Sequence, residues 1–199
     1  MSEPLPIFAL GTVLFPHGAL ALKVFEPRYV DMVSRCMRTG SPFGVACIRH
    51  GSEVGDAANV HNVGTLAHIT DFDQLDNGLL GITATGGERF RIVATEVLPD
   101  QLLVATSTEP LAVDPPLALP GSLSHLATVA LEIRKVASEN GYGDRVPADT
   151  RDDAGWIANR IAEVLPVSLS TKQRLLEILD PLERLDAVNE VVMKLADRD

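Results

Sequence analysis

The residues Leu5–Tyr29, LPIFALGTVLFPHGALALKVFEPRY, decide how the rest of the chain is read. Two short apolar runs, Leu5 to Leu10 and Ala19 to Phe25, are divided by Phe15-Pro16-His17-Gly18. Proline and glycine force a turn there, so both runs read as strands. The period then changes. Pro27 suits a first helical turn, where its missing N–H would be unpaired anyway, and Tyr29, Met32, Val33, Cys36 and Met37 recur at helical spacing. Strand, turn, strand and helix in succession predict a sheet plugged by one helix.

The same alternation of apolar runs and turn chemistry continues outward. Phe43 to Ile48, Gly64 to Phe72, Leu79 to Thr85, Arg89 to Glu96 and Leu102 to Thr108 read as further strands. Asp76-Asn77-Gly78 is a hairpin signal, because asparagine and glycine tolerate the positive φ of a tight turn. The polar stretch Arg49 to Asn62 reads as a long surface loop. Composition shifts at Pro110 to Gly121, where Asp114-Pro115-Pro116 and Pro120 favour extended backbone, so the boundary falls there: a β unit over residues 1–112 and a helical unit over 113–199.

Four helices are expected beyond that boundary. Ser122 to Glu139 carries Leu123, Leu126, Val129, Ala130, Ile133 and Val136 on one stripe, and Trp156, Ile157, Arg160, Ile161 and Val164 form a second helix stopped by Pro166. Ser170 with Gln173 matches a capping box, and Asp180 before Pro181 supplies an acceptor cap and an N1 proline. The last stripe is Leu182, Leu185, Val188, Val192 and Leu195.

Composition bounds the function. The 199 residues are 46% hydrophobic and 22% charged, as in an ordinary globular protein long enough to bury a sizeable core. Seventeen basic against 27 acidic residues give a formal net charge of -10, which repels phosphate backbones and anionic lipid and argues against nucleic acid as a partner. Cys36 and Cys47 are too few for a disulfide framework, and a reducing cytoplasm fits them. Met1-Ser2-Glu3-Pro4 lacks the basic start of an export signal, and no apolar stretch approaches the ~20 residues of a membrane span, so no membrane association is expected.

Several blocks together resemble one family. Leu5-Pro6-Ile7-Phe8-Ala9-Leu10, Thr12-Val13-Leu14-Phe15-Pro16 and Phe25-Glu26-Pro27-Arg28-Tyr29 are similar, in order and spacing, to the opening of the Lon protease N-terminal domain. Val63-Gly64-Thr65-Leu66-Ala67, Gly87-Glu88-Arg89-Phe90-Arg91-Ile92, Lys172-Gln173-Arg174-Leu175-Leu176-Glu177 and Glu183-Arg184-Leu185 look like its later blocks. The resemblance implies an α+β fold: a PUA-like β pseudo-barrel with one inserted helix, followed by a C-terminal α-helical bundle. It also implies a role in recognising unfolded polypeptides or a protein partner. Ala9 stands where the family pattern usually has proline, and His17 where it often has glycine, so the first turn is expected to differ in shape. No glycine is followed by lysine, so no P-loop is expected to cradle a nucleotide, and with the chain ending at Asp199 the serine–lysine protease module of Lon is not expected either. The protein is therefore expected to be no enzyme and to act as a stand-alone cytoplasmic binding module.

Other chemistry finds little footing. His17, His50, His61, His68 and His125 lack the i, i+4 spacing that presets a metal site, so no metal and no cofactor are expected. Ser41, Ser122 and Ser124 lie outside any G-x-S-x-G elbow, and no catalytic residue is assigned. Asp71, Asp73, Asp76 and Glu88 around the hairpin suit solubility and local hydrogen bonds better than acid–base work. Glu26, Arg28 and Tyr29 are candidates for a peptide surface, against a plainer reading in which the pair caps and tethers the helix start. Phe72, Leu75, Leu79 and Leu80 are candidates to line a groove where barrel and bundle meet, against a plainer reading as barrel core. Two rival functions remain: an RNA-binding PUA-like module, which a basic cleft would support, and a small-ligand-binding or hydrolytic protein using the barrel, which an enclosed pocket with convergent ionisable groups would support.

Overall fold

A computed structural model describes residues 4–75, 78–139 and 152–196. The elements in chain order are β1 (Leu5–Leu10), β2 (Ala19–Val24), α1 (Pro27–Thr39), β3 (Phe43–His50), β4 (Asn59–Val60), β5 (Val63–Gln74), β6 (Leu80–Val97), β7 (Leu103–Pro110), α2 (His125–Glu139), α3 (Ala154–Val164), α4 (Leu169–Glu177) and α5 (Pro181–Ala196). They fall into two compact units, Met1–Leu111 and Ala112–Asp199.

In the first unit one seven-stranded, mostly antiparallel sheet runs β1-β7-β6-β5-β3-β4, with β2 on β6. β1 pairs antiparallel with β7 over three residue pairs from Leu5 to Ile7, and parallel with β3 from Ile7 to Leu10. The sheet thus curls back on itself through that short parallel contact. Because, among the described residues, β2 joins only β6 and β4 only β3, the result is the expected pseudo-barrel and not a regular closed barrel.

β6 corrects one sequence expectation. The runs Leu79 to Thr85 and Arg89 to Glu96 belong, from Leu80 on, to a single strand that pairs with β2 over residues 80–85, with β5 from Leu80 to Arg91 and with β7 from Phe90 to Val97. Gly86 continues the strand because the first loop serves it: Gly86 N–H donates to the Gly18 carbonyl and His17 N–H to the Gly86 carbonyl, both at 2.8 Å. A Cβ at position 86 would collide with the Phe15 carbonyl, so only glycine allows that approach. His17 makes the turn with a left-handed φ of 62°, a conformation disfavoured for a residue bearing a Cβ.

The stretch Arg49 to Asn62 is likewise more ordered than a loop. β3 continues to His50 and β4 pairs back onto Ile48 and His50. Gly51 and Gly55, with φ of 106° and 90°, lie between the two strands. Asp76 and Asn77 of the expected hairpin turn lie outside the described residues; beside them Leu75 N–H donates to the Leu79 carbonyl at 2.9 Å.

α1 lays Tyr29, Met32, Val33 and Cys36 onto one sheet face, where they bury with Phe8, Leu10, Phe43, Val45, Ile82, Ala84 and Val104. Phe8 stacks on Tyr29 with ring centroids 3.9 Å apart. The helix stops at Gly40, which takes the left-handed cap conformation with φ 65°. A smaller cluster of Ile7, Ala46, Phe90, Ile92, Leu103 and Ala105 is separate from that core.

The second unit is built around α3, which contacts α2, α4 and α5. Ile157, Ala158, Ile161 and Ala162 on α3 are fully buried, with Leu126 of α2 and Leu185 and Val188 of α5. Asp153 caps α3 by accepting from Trp156 N–H at 2.8 Å. Asp180 caps α5 as expected, accepting from the N–H groups of Leu182 and Glu183. The expected capping box on Ser170 and Gln173 is not formed: Ser168 is the cap of α4, accepting from Thr171 N–H, while Gln173 donates to Glu177 one turn on. The deeper fixture is Arg184, whose guanidinium grips Asp114 with two bonds of 2.6 and 2.8 Å and Asn159 with one of 2.9 Å.

Candidate functional site

The Phe25-Glu26-Pro27-Arg28-Tyr29 cluster starts α1, with Pro27 in its first turn and Glu26 as an extended cap residue. The Glu26 carboxylate does not cap. It pairs with Arg28 at 2.9 Å, so of the plainer reading the tether is present and the cap is not. Arg28 is only 5% exposed; it donates to the Gln101 carbonyl at 2.8 Å and the Glu53 carbonyl at 3.2 Å, with its guanidinium over the Tyr29 ring. Glu53 in turn accepts from Gly11 N–H and the Gln101 side chain from Ala57 N–H. One cation therefore holds the start of α1, the β3–β4 segment and the β6–β7 turn together. Burial pushes the Tyr29 hydroxyl pKa up, opposed by the positive charge of Arg28 and a hydrogen bond to the Ala9 backbone. Any part that Arg28 and Tyr29 play at a surface is exerted through the loops they fix.

The β5–β6 hairpin is the contrasting case. Phe72 is 61% exposed, while Leu75, Leu79 and Leu80 are half-buried and Leu80 packs against the main core. Two recesses flank Phe72. One, of about 330 Å³, lies between the end of α1 and β5 and is lined by Cys36, Met37, Gly40, Ser41 and residues 68–72. The other, of about 220 Å³, lies over β2, β5 and β6 and is lined by residues 21–23, 71–73, Leu75 and 81–83. Of the seven candidates read from the sequence, Phe72 and Leu75 share a recess; Glu26, Arg28, Tyr29, Leu79 and Leu80 line neither. Met37, on the expected helical stripe, and Ile69, within the expected strand Gly64 to Phe72, are not among the candidates.

Why the first recess exists follows from chain geometry. β3 pairs with β5 only as far as Phe43 opposite Ala67, while β5 runs on to Gln74. α1 ends at Thr39 and Gly40 turns the chain towards β3, so no strand directly precedes Phe43 to continue that ladder. The recess is the gap left beside the unaccompanied part of β5. Ser41, His68 and Asp71 all line it, yet among the described residues neither Ser41 nor His68 makes a side-chain hydrogen bond. The activating contact of a serine nucleophile is not in place there. Among the described residues no group of three or more His, Cys, Asp or Glu side chains is arranged to hold a metal.

The second unit holds one ionic cluster that the sequence reading passed over. Arg160 pairs with Glu163 at 2.7 Å, and Lys172 donates to the Glu163 carbonyl. Burial pushes the Glu163 carboxyl up to about 7, against the pull of Arg160 and Lys172, and burial pushes the Arg160 and Lys172 pKa values down. The i, i+3 spacing of Arg160 and Glu163 on a helix was the available signal.

Comparison with known proteins places the whole chain. The family model of the ATP-dependent protease La (LON) substrate-binding domain matches residues 4–194. The crystal structure of a Lon N-terminal domain protein from Xanthomonas campestris is 32% identical, with a TM-score of 0.77 over 95% of this chain and 98% of that one. The N-terminal domain of the Mycobacterium avium complex Lon protease, at 17% identity and a TM-score of 0.59, shares the fold over 95% of this chain and 97% of that one. The Lon protease of Solibacter usitatus is 26% identical over 194 residues, and Lon protease 2 of Herpetosiphon aurantiacus 27% identical over 202. Each of these alignments takes in nearly all of this chain but only 24% of the relative, so the chain spans about a quarter of the length of the curated relatives it matches.

Proposed function

From the premise that the chain belongs to the LON substrate-binding domain family, we propose that it recognises protein, capturing unstructured polypeptide segments without chemical turnover. The observation that carries this reading is the family match across residues 4–194, through both units. The geometry supports it. An exposed aromatic beside two shallow, open recesses suits transient side-chain capture better than enclosure of a small substrate. The net charge of -10 favours a polypeptide over a phosphate backbone. Among the described residues no helix is long and apolar enough to cross a membrane. Two buried, unbridged thiols suit a reducing compartment such as the cytoplasm.

Capturing a disordered segment has to offset its ordering entropy, so affinities of roughly micromolar or weaker are expected. The test is fluorescence anisotropy of a labelled, reduced and alkylated lysozyme chain titrated with this protein, beside folded lysozyme and a uridine 20-mer. Saturable binding of the unfolded chain alone supports the reading. Equal binding of the folded control, or no binding of either, refutes it; saturable RNA binding that weakens steeply with salt would move the protein to a different class.

A further inference from the structure

We propose that the unaccompanied edge of β5, residues His68–Gln74, takes an extended segment with Lys or Arg at alternate positions and apolar residues between them, added as a further strand. This deepens the polypeptide-binding reading above, on which it rests, by naming the chemistry of the segment bound.

Hydrogen-bond parity shows what the edge offers. Leu75 donates to the Leu79 carbonyl, so the Leu75–Leu79 pair exchanges bonds within the hairpin. In an antiparallel ladder such pairs alternate, and Phe72, opposite Ile82, and Gln74, opposite Leu80, are of the other kind. Their N–H and C=O groups therefore face away from β6. Among the described residues no strand pairs with β5 on that side beyond Ala67. At about 3.3 Å per residue, the seven positions His68–Gln74 give an edge roughly 23 Å long, enough for a short added strand.

The two faces beside that edge differ in chemistry. Directly opposed residues share a sheet face. Ile69 opposes Ala84 and Phe72 opposes Ile82, both buried, so Ile69 and Phe72 lie on the face that α1 covers, next to Met37 in the first recess. The register shift between Ile69 and Asp71 allows two residues three apart to share it. Asp71 opposes Thr83 and Asp73 opposes Gly81, so both carboxylates stand on the other face. An incoming strand would set alternate side chains against Ile69, Phe72 and Met37 on one side and against Asp71 and Asp73 on the other.

Those carboxylates also decide which strands are admitted. Asp71 accepts from Phe72 N–H at 2.9 Å and Asp73 from Gln74 N–H at 2.8 Å, so the outward donors are already engaged. Acidic side chains that cover an edge in this way oppose indiscriminate pairing. A neutral or acidic strand must displace both carboxylates without compensation. A strand with cations at the matching positions draws each carboxylate into an ion pair and frees the N–H for its own carbonyl. Alternating cationic and apolar segments are thereby selected.

The experiment uses the full chain and a labelled heptapeptide Lys-Val-Lys-Phe-Lys-Val-Lys, beside its glutamate-for-lysine counterpart and an isomer with the lysines in one block. The alternating peptide is expected to bind at least tenfold more tightly than either, with amide shift changes at Phe72 and Gln74 in nitrogen–proton spectra. Asp71→Asn with Asp73→Asn is expected to weaken it about fivefold and flatten its salt dependence, as for two exposed ion pairs. Gln74→Pro removes an outward N–H without touching the ladder to β6 and should weaken it about tenfold, with an unchanged circular dichroism spectrum confirming the fold. Equal binding of the block isomer, or indifference to both variants, overturns the assignment. If unfolded lysozyme binds but neither variant alters it and the alternating peptide does not compete, the edge assignment fails and polypeptide recognition stands. If the peptide binds as expected while unfolded lysozyme does not, the converse holds.

Discussion

Replacing Asp114 with alanine should cost the helical unit about 2–4 kcal/mol, by a route the geometry makes explicit. Arg184 is 0% exposed, and its guanidinium makes its two shortest bonds, 2.6 and 2.8 Å, to the Asp114 carboxylate. The substitution leaves Arg184 with bonds to neutral groups, among them Asn159 at 2.9 Å and the Ile178 and Leu179 carbonyls at 3.4 Å. Breaking a buried ion pair by removing one partner costs about 3–5 kcal/mol. The Asp114 side chain is 17% exposed, so water recovers part of that and the lower range applies. Arg184→Met removes the cation instead and leaves a carboxylate that water can reach, at about 1–2 kcal/mol. The double variant should cost less than the sum by at least about 1.5 kcal/mol, because the pair is then removed as a unit. Urea unfolding followed through Trp156, the chain's sole tryptophan and buried in α3, reads this unit directly. With a slope of about 1.5 kcal/mol/M, the Asp114→Ala midpoint should fall by about 1.3–2.7 M. A shift under about 0.5 M, or strictly additive costs, would show that the pair does not hold the unit together.

Three further expectations follow from the same kind of reasoning. Arg28→Met should cost the sheet unit about 2–3 kcal/mol and speed hydrogen exchange at the Gly11 and Ala57 amides, whose acceptors Glu53 and Gln101 it releases; unchanged exchange there would refute its role as a clamp. Glu163 binds its proton more tightly folded, at a pKa of about 7, than unfolded, near 4.5, so its contribution to stability should fall as pH rises from about 4.5 to 7. With 23% of that side chain exposed, the loss should be about 1–2 kcal/mol; Glu163→Gln should abolish it, and identical pH slopes for the two chains would contradict this. Gly86→Ala drives a methyl group into the Phe15 carbonyl and should destabilise the sheet unit by about 2–3 kcal/mol, whereas an unchanged melting curve would mean that the first loop yields freely.

How much of this was legible in the sequence depends on the range of the interaction concerned. Strand and helix positions follow from local period, so β1, α1 and the start of α5 at Asp180-Pro181 were read close to where they lie. Ser168 was missed as the cap of α4 because Ser168 and Ser170 are both competent acceptors, and local sequence does not rank them. The Gly86-Gly87 break was misread because what keeps β6 continuous is the backbone of residues 15–18, far away in the chain. Arg28 and Arg184 share that difficulty: each is an arginine near a helix start, a position usually exposed, and only their distant acceptors make them internal fixtures. Phe72 is legible among the hairpin's apolar residues, but its 61% exposure is not.

On the proposal of an added strand, the end of β3 pairing at Phe43 links fold to recognition. β3 begins at Phe43, just after α1 ends, so no residue of that strand reaches positions 68–74 of β5. The turn at Gly40 that brings the chain from α1 into β3 leaves the second half of β5 paired on one side only among the described residues. An edge left open in this way invites association with any strand, including a second copy of the same chain. Asp71 and Asp73, each bonded to the N–H of the residue that follows, counter that risk, and in a chain with a net charge of -10 they bias the edge against its own kind. Openness and protection are therefore coupled in one strand. Neutralising both aspartates should weaken capture of cationic segments and, by the same electrostatic change, promote self-association at high protein concentration, whereas Gln74→Pro should lower both. Sedimentation of the two variants beside wild type separates these effects, and opposite oligomerisation trends are the result that the coupling requires.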